Sequence, residues 1–308
     1  MAYGARVLAD SVALHRWPNR VEQGTRLTTI EVTFPRIVLA EFNTHRVFSR
    51  NSASSRAIPV EKRIAAVEAD PFVPEVFGKN QKGMQASENL SEEDADMARQ
   101  EWMLACKDAV YRARQLAARG VHKQLANRLI EPFCWHTVIV TATEWENFFA
   151  LRCHPDAQPE IRVAAEWMQA VYDQSVPQEL DEDMWHLPLL PDAPQLLSEG
   201  YSMADLCRIS VGRCARVSYL THDGRRDPSA DLDLAAKLQY SGHMSPFEHV
   251  ARPMNRSECE YKYGTHGEFV GDNMTPQKNF CGNFKGWIQL RKELPHEDNF
   301  REAMLARD

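Results

Sequence analysis

The spacing of apolar residues changes along this chain, and that change decides which elements it can form. From Ile30 to Phe34 apolar and polar residues alternate, in a segment rich in β-branched side chains (Thr28, Thr29, Ile30, Val32, Thr33). Period two with β-branched enrichment predicts a strand over 28–34. After Ser91 the period is three or four instead, through Ala95, Ala98, Trp102, Ala105, Ala109, Ala113 and Leu116. That stripe predicts a long helix starting near Ser91–Asp94 and stopped by Gly120. Met97 and Trp102 at this spacing read as core packing, not as a cofactor-binding box.

The remaining elements follow with less pattern to guide them. Residues 5–15 alternate weakly, and Trp17-Pro18-Asn19 reads as a turn. Arg36–Asn43 fits either a strand or a short helix with Pro35 at its first position, and periodicity does not separate the two. Residues 70–90 carry Pro71, Pro74, Gly78 and Gly83 and predict an irregular loop, and a second helix is expected over 122–130, before Pro132. Val138-Ile139-Val140 reads as a strand or as the entry to a helix over 144–152. A further helix is expected over 157–172, with Asp156 as its N-cap. The acidic, Pro-rich stretch 175–199 reads as a connection between two halves. Helices are then expected over 203–215 and 231–240 with a loop at 221–228 between them, and an extended segment after Val250. The Gly-containing tail after Gly264 has no readable role.

The densest chemistry lies at Thr44–Arg56. These residues hold one imidazole (His45), three guanidiniums (Arg46, Arg50, Arg56), four serine hydroxyls and the Asn51 carboxamide, with no carboxylate among them. Arginine presents a planar fork suited to phosphate or carboxylate, so a phosphorylated small molecule suits this stretch best. A solvated Ser/Arg loop has the same composition. Bulk charge narrows the choice of ligand. With 36 basic against 43 acidic residues and a net charge of −7, neither general nucleic-acid binding nor a polybasic membrane surface is expected. No apolar run approaches a membrane span and no signal peptide is read at the amino terminus, so a soluble cytoplasmic protein is expected. Seven cysteines without a CxxC pair predict neither a zinc site nor a disulfide framework.

Five blocks together resemble one family. His45–Arg56 fits H-R-x-x-S-x-N-x-x-S-x-R, which is similar to the signature of the flavin-dependent thymidylate synthases. Leu151–Arg162 resembles that family's L-R-x4-A-Q-x-E-I-R, and Asn127–Pro132 its arginine-bearing helix end before a proline. Gly242–His249 resembles G-H-x-[ST]-P-F-E-H, and Ala215–Ser218 resembles A-R-V-S. The last two blocks precede the His-Arg-Ser signature in the family and follow it here. A circular permutation accounts for this order: 28–172 is similar to the family's middle and end, 204–254 to its beginning, 175–199 joins the ancestral termini, and 264–308 is an extra tail. Such rearrangement is tolerated where termini lie close together at the surface.

The resemblance implies a single catalytic domain with an α+β fold, an antiparallel sheet with helices in permuted topology, and active sites formed between subunits of a homotetramer. It implies transfer of a one-carbon unit from methylenetetrahydrofolate to dUMP, with FAD as carrier and NADPH as reductant. By motif position, His45, Arg46, Val47, Asn51, Asn147, Ser218, His243, Ser245 and Glu248 would line the flavin. Ser54, Ser55, Arg56 and Arg128 would hold dUMP, and Arg152 would sit against the pyrimidine and stabilise developing negative charge. Thr44 stands where the family has arginine, Ser52 where it has an acid, and Ser55 where it has glycine. Thr141 and Thr143 replace an asparagine and an arginine near the flavin. Glu41 replaces a glutamine near the substrate, and a carboxylate cannot donate to a pyrimidine carbonyl unless protonated. Another flavin-dependent pyrimidine-nucleotide modifying enzyme, such as a hydroxymethylase, therefore stands beside the thymidylate synthase reading. A non-catalytic nucleotide or flavin binder stands further off. A hydrolase built on Ser54 and His45 is weakest, since no carboxylate is placed to orient the histidine.

Overall fold

The computed structural model describes residues 3–17, 20–83, 85–219, 227–255, 258 and 282–299. Two long strands, β1 (Gly4–Trp17) and β2 (Arg20–Pro35), pair antiparallel from Gly4↔Thr33 to Trp17↔Arg20. The expected strand over 28–34 is thus the second half of β2. Pro18 and Asn19 of the expected turn lie outside the described residues.

After Pro35 the chain forms a 3-10 turn at Arg36–Val38 and a short helix, α1 (Leu39–Phe42), so the helical alternative holds there. Strand β3 (Ser49–Ser52) follows, then α2 (Val60–Ala69) and the long α3 (Glu92–Ala118). The Ser91 hydroxyl accepts from the Asp94 amide at the start of α3, and Gly120 sits at φ +78° beyond its end, a conformation that favours glycine. The second expected helix is shorter than its spacing suggested: α4 spans Lys123–Ala126, and Asn127–Phe133 is 3-10 with Pro132 inside it. Next come β4 (Trp135–Ala142), α5 (Glu146–Arg152) and α6 (Pro159–Gln174). Asp156 does not cap α6. Gln158 occupies that place without a side-chain bond, and Pro159 begins the helix.

The main sheet runs β3-β4-β2-β1-β5, antiparallel except for the β1–β5 pair. Its mixed α+β architecture agrees with the fold class expected from sequence. Strand β5 (Gln178–Leu180) lies inside the stretch 175–199, which also carries α7 (Ala193–Ser198). That stretch is therefore more than a connection, because three of its residues extend the sheet beside Ser11–Ala13. One face of the sheet packs Ile30, Val32, Phe34, Val138 and Val140 against Ile161, Ala164, Ala165 and Met168 of α6. On the other face Ile139 meets Cys214 and Val217 of α8 (Met203–Tyr219). Burial on both faces explains why Val138–Val140 reads as an unbroken apolar run.

Helix α9 (Pro228–Tyr240), capped by Asp227, packs on α8 at close range. A Cβ at Gly212 would stand 2.5 Å from the Asp231 carbonyl oxygen, so glycine is required at that crossing. Buried Asp231 accepts from Arg213 Nε at 3.2 Å and Arg216 Nε at 2.7 Å. Ser245–Glu248 is a 3-10 turn, and β6 (Ala251–Pro253) pairs with β7 (Trp287–Gln289), which leads into α10 (Leu290–Glu293). The described end of the tail returns to the main sheet. Asn283 donates to Val47 O at 2.6 Å, and Trp287 Nε1 donates to Thr25 O at 2.8 Å. Residues 221–226 of the expected loop and most of the tail lie outside the described residues. Among the described residues, no helix is long and apolar enough to cross a membrane.

Candidate functional site

Pairing with β4 gives Ser49–Ser52 a strand's alternation, so Ser49 and Asn51 point into the protein while Arg50 and Ser52 are half-buried. The chain then turns, with the Ala57 amide bonded to Ser54 O at 2.9 Å, which leaves Ser54 and Arg56 exposed. Helix α8 lies beside β3 and fixes Asn51, whose Nδ2 donates to the Cys214 carbonyl at 2.8 Å. The 3-10 turn after α9 closes the other side. These segments enclose a pocket of about 460 Å³ in which Asn51, Ser52, Ser54 and Arg56 face His243 and Ser245.

The pocket is rich in donors and poor in acids. Among the described residues, no carboxylate lines it. Arg56 has no ion-pair partner among the described residues, and Lys123 contributes an ammonium held by the Ala57 carbonyl at 3.1 Å. His243 stands at the rim with its Nδ1 2.8 Å from Ser241 Oγ. Two cations, several hydroxyls and a carboxamide in an open hollow of this size suit a phosphorylated nucleotide. His122 and Lys123 also line this pocket, and sequence reasoning left both out of the site. No motif marks them, and α4 brings them in only because α3 ends where it does.

The other expected site residues fall into separate groups. His45 is buried between Phe48 and Phe148 and accepts from Arg152 Nε at 2.9 Å. Burial first, and then the Arg152 and Arg50 guanidiniums, push its pKa down to about 4, so the ring is neutral. Because Nε2 accepts from a guanidinium, the ring proton resides on Nδ1. Arg152 also reaches Thr44 Oγ1 at 3.4 Å, so it stands at the corner between α5 and the polar stretch. Glu41 keeps one buried carboxylate oxygen, Oε2, without a hydrogen-bond partner. Arg46 and Val47 are exposed at the turn before β3.

Ser55 is buried and donates to Glu131, which also pairs with Arg36 at 3.0 Å and Arg128 at 3.0 Å. Ser55 and Arg128 therefore share a carboxylate outside the pocket. Asn147 lies in a different hollow of about 700 Å³ with Thr143, Trp145 and Tyr172. Glu248 pairs with Arg291 of α10 at 2.5 Å and acts electrostatically on Arg50, one strand position from Asn51. Ser218 is on α8, and its side chain lies outside the described residues. His249 is fully buried, with Nδ1 2.8 Å from Thr141 Oγ1, a structural role. Burial holds the Cys153 thiol above its ordinary value, so it is not a poised thiolate.

Comparison with known proteins bears on the whole arrangement. No curated protein sequence matches the chain significantly. Two solved structures are similar to part of it: a UMP/dUMP methylase, PolB, from Streptomyces cacaoi bound with 5-Br UMP, and the same protein bound with 5-Br dUMP. Each is 20% identical with a TM-score of 0.42 over 48% of this chain, covering 70% and 66% of the respective chains. The family model described as Thymidylate synthase complementing protein matches residues 25–178, half of the chain, a span holding β2 to β4, the polar stretch and Arg152; the chain belongs to that family, as its motif blocks led us to expect.

Proposed function

We propose that this protein is a flavin-dependent thymidylate synthase, moving a one-carbon unit from methylenetetrahydrofolate to C5 of dUMP with electrons from NADPH. One observation carries the reading. Asn51, Ser54 and Arg56 share a pocket with His243 and Ser245, nearly two hundred residues away in the chain. The same convergence supports a circular permutation, since the family's first block and its central signature meet in space although their order is reversed.

The donor set fits a phosphate or diphosphate group. Arg56, Lys123 and Ser54 would hold that of dUMP or FAD, with Asn51, His243 and Ser245 along the wall. FAD, when bound, supplies hydride chemistry. Arg152, fixed against neutral His45, would place a permanent positive charge where the pyrimidine ring accumulates negative charge as C5 becomes nucleophilic. Distribution of Arg152, Asn147 and Arg128 over separate surfaces supports sites completed by neighbouring subunits of a homotetramer. Glu41 favours a second reading, a changed base preference or a hydroxymethyl product, because its unpartnered oxygen seeks a donor where the family has an amide.

The test is release of tritium from [5-³H]dUMP by the purified chain with FAD, NADPH and methylenetetrahydrofolate, followed by the mass of the product. Release with formation of dTMP is expected. Release with a hydroxymethyl product supports the second reading. A protein that neither takes up FAD nor releases tritium overturns both. Arg152→Ala should abolish release while retaining dUMP binding, and unchanged turnover would remove Arg152 from the chemistry.

A further inference from the structure

A second cavity, of about 130 Å³, lies on the opposite side of the wall that bounds the nucleotide pocket. Ala53 lines it, whereas its neighbours Ser52 and Ser54 line the pocket; on α8, Val217 faces the cavity and Ala215 the pocket. None of its lining residues belongs to the site described above. Its apolar walls are Ala53, Ala66, Val67, Phe133 and Val217.

Arg63, which lines it, is only partly satisfied: it interacts with the Cys134 thiol and with nothing at two of its nitrogens. Arg63 is 7% exposed, and its Nε and Nη2 have no hydrogen-bond acceptor. Trp135 Nε1 and His136 Nε2 are likewise buried without a partner. His136 Nδ1 is 3.0 Å from Arg36 Nη1, and a guanidinium only donates, so Nδ1 accepts and the ring proton is on Nε2. All the unpartnered atoms are therefore N–H donors. A buried guanidinium whose Nε and Nη2 have no acceptor is unfavourable unless something else satisfies it.

The charge is unbalanced as well. Arg63 has no carboxylate within ion-pair distance among the described residues. Nearby Glu131 is already shared by Arg36, Arg128 and Ser55. The neighbouring Cys134 thiol donates to Ile130 O at 3.1 Å, and burial keeps it protonated, so it is no counter-ion. Asp70 also borders the cavity and is engaged in an interaction of its own.

We propose that this cavity binds a small organic monocarboxylate, its oxygens taken by Arg63 and its apolar body seated against Phe133, Val67 and Val217. One uncompensated guanidinium matches one negative charge. A hydrated dianion such as phosphate would leave its second charge unpaired against apolar walls. The site does not depend on the proposed reaction, because it shares a wall with the nucleotide pocket and no lining residue.

Calorimetric titration of the full chain with sodium benzoate, sodium butyrate and inorganic phosphate, at constant ionic strength and without flavin or nucleotide, tests this. Benzoate and butyrate should bind and raise Tm, and any phosphate taken up by the Arg56 pocket should bind equally well to Arg63→Met. Arg63→Met, which removes the lone charge at similar volume, should weaken benzoate binding at least tenfold. Ala66→Leu, at an exposed position of α2 bordering the cavity, should do the same while leaving Arg63 intact. The proposal is overturned if no carboxylate binds, if Arg63→Met weakens phosphate binding as much as benzoate binding, or if both variants bind benzoate like the parent chain.

Discussion

The two cavities on either side of β3 and the end of α8 are built on opposite principles. The pocket around Asn51, Ser54 and Arg56 is open, with Arg56 exposed and Lys123 half-buried. The cavity around Arg63 is small and mostly apolar, and two nitrogens of that guanidinium are buried without partners. The first leaves its cations near solvent, whereas the second sets a charged group among apolar side chains. An open cationic pocket tolerates an empty state, as a site that exchanges substrate must. A buried guanidinium favours being neutralised, as suits a ligand that stays. The contrast is between a cationic pocket open to solvent and a guanidinium set against apolar walls.

The largest test is of the shared wall. Asp231 is fully buried and holds both Arg213 and Arg216 of α8, so among the described residues Asp231→Ala leaves Arg216 without its counter-ion and Arg213 with Asp192 alone. A loss of about 3–5 kcal/mol is expected in denaturant unfolding, with both cavities affected together. If nucleotide binding survives while carboxylate binding is lost, the wall is not common to both.

Acid separates the two cavities next. Burial pushes His136, His186 and His249 down to about 3, and His45 to about 4. Unfolded histidines take up protons near pH 6.5, and the folded ones resist until the lower values. Stability is therefore fully present above about pH 6.5 and falls below it, by about 1.4 kcal/mol per pH unit for each such histidine. Unfolding titrations from pH 7 to pH 4 should show this loss. His136→Gln should flatten the slope.

Arg56→Ala should weaken dUMP binding roughly tenfold to a hundredfold, the loss of hydrogen bonds to a charged group, with stability unchanged. Lys123→Ala should have a smaller effect of the same kind, roughly threefold to tenfold, because Lys is a mobile point charge on a flexible stem. Calorimetry checks both. Lys123→Ala exceeding Arg56→Ala would move the centre of the phosphate site from the turn after β3 to α4.

Where sequence and structure agree, the signal was local. The β-branched alternation of 28–34 and the stripe of 95–117 each require one face of one element to be buried, and both appear. The stretch 175–199 was opaque because a three-residue parallel strand has no period to display among its prolines. Val138–Val140 was ambiguous because burial on both faces erases alternation. The second helix after Gly120 was overread, since apolar spacing does not distinguish α from 3-10 over so few turns.

The site divides along the same line. Sequence by itself determined the family, through motif blocks whose residue types suit anion and flavin chemistry, and it marked Asn51, Ser54, Arg56, His243 and Ser245. Tertiary structure alone decided that those five share one pocket, that Lys123 joins them, and that Ser55 and Arg128 turn instead to Glu131. It alone shows the Arg63 cavity, because Arg63, Trp135 and His136 come from α2 and β4 with no motif between them. The reason is physical. A motif records which groups a local backbone must present, whereas a buried donor lacks a partner only in relation to everything packed around it.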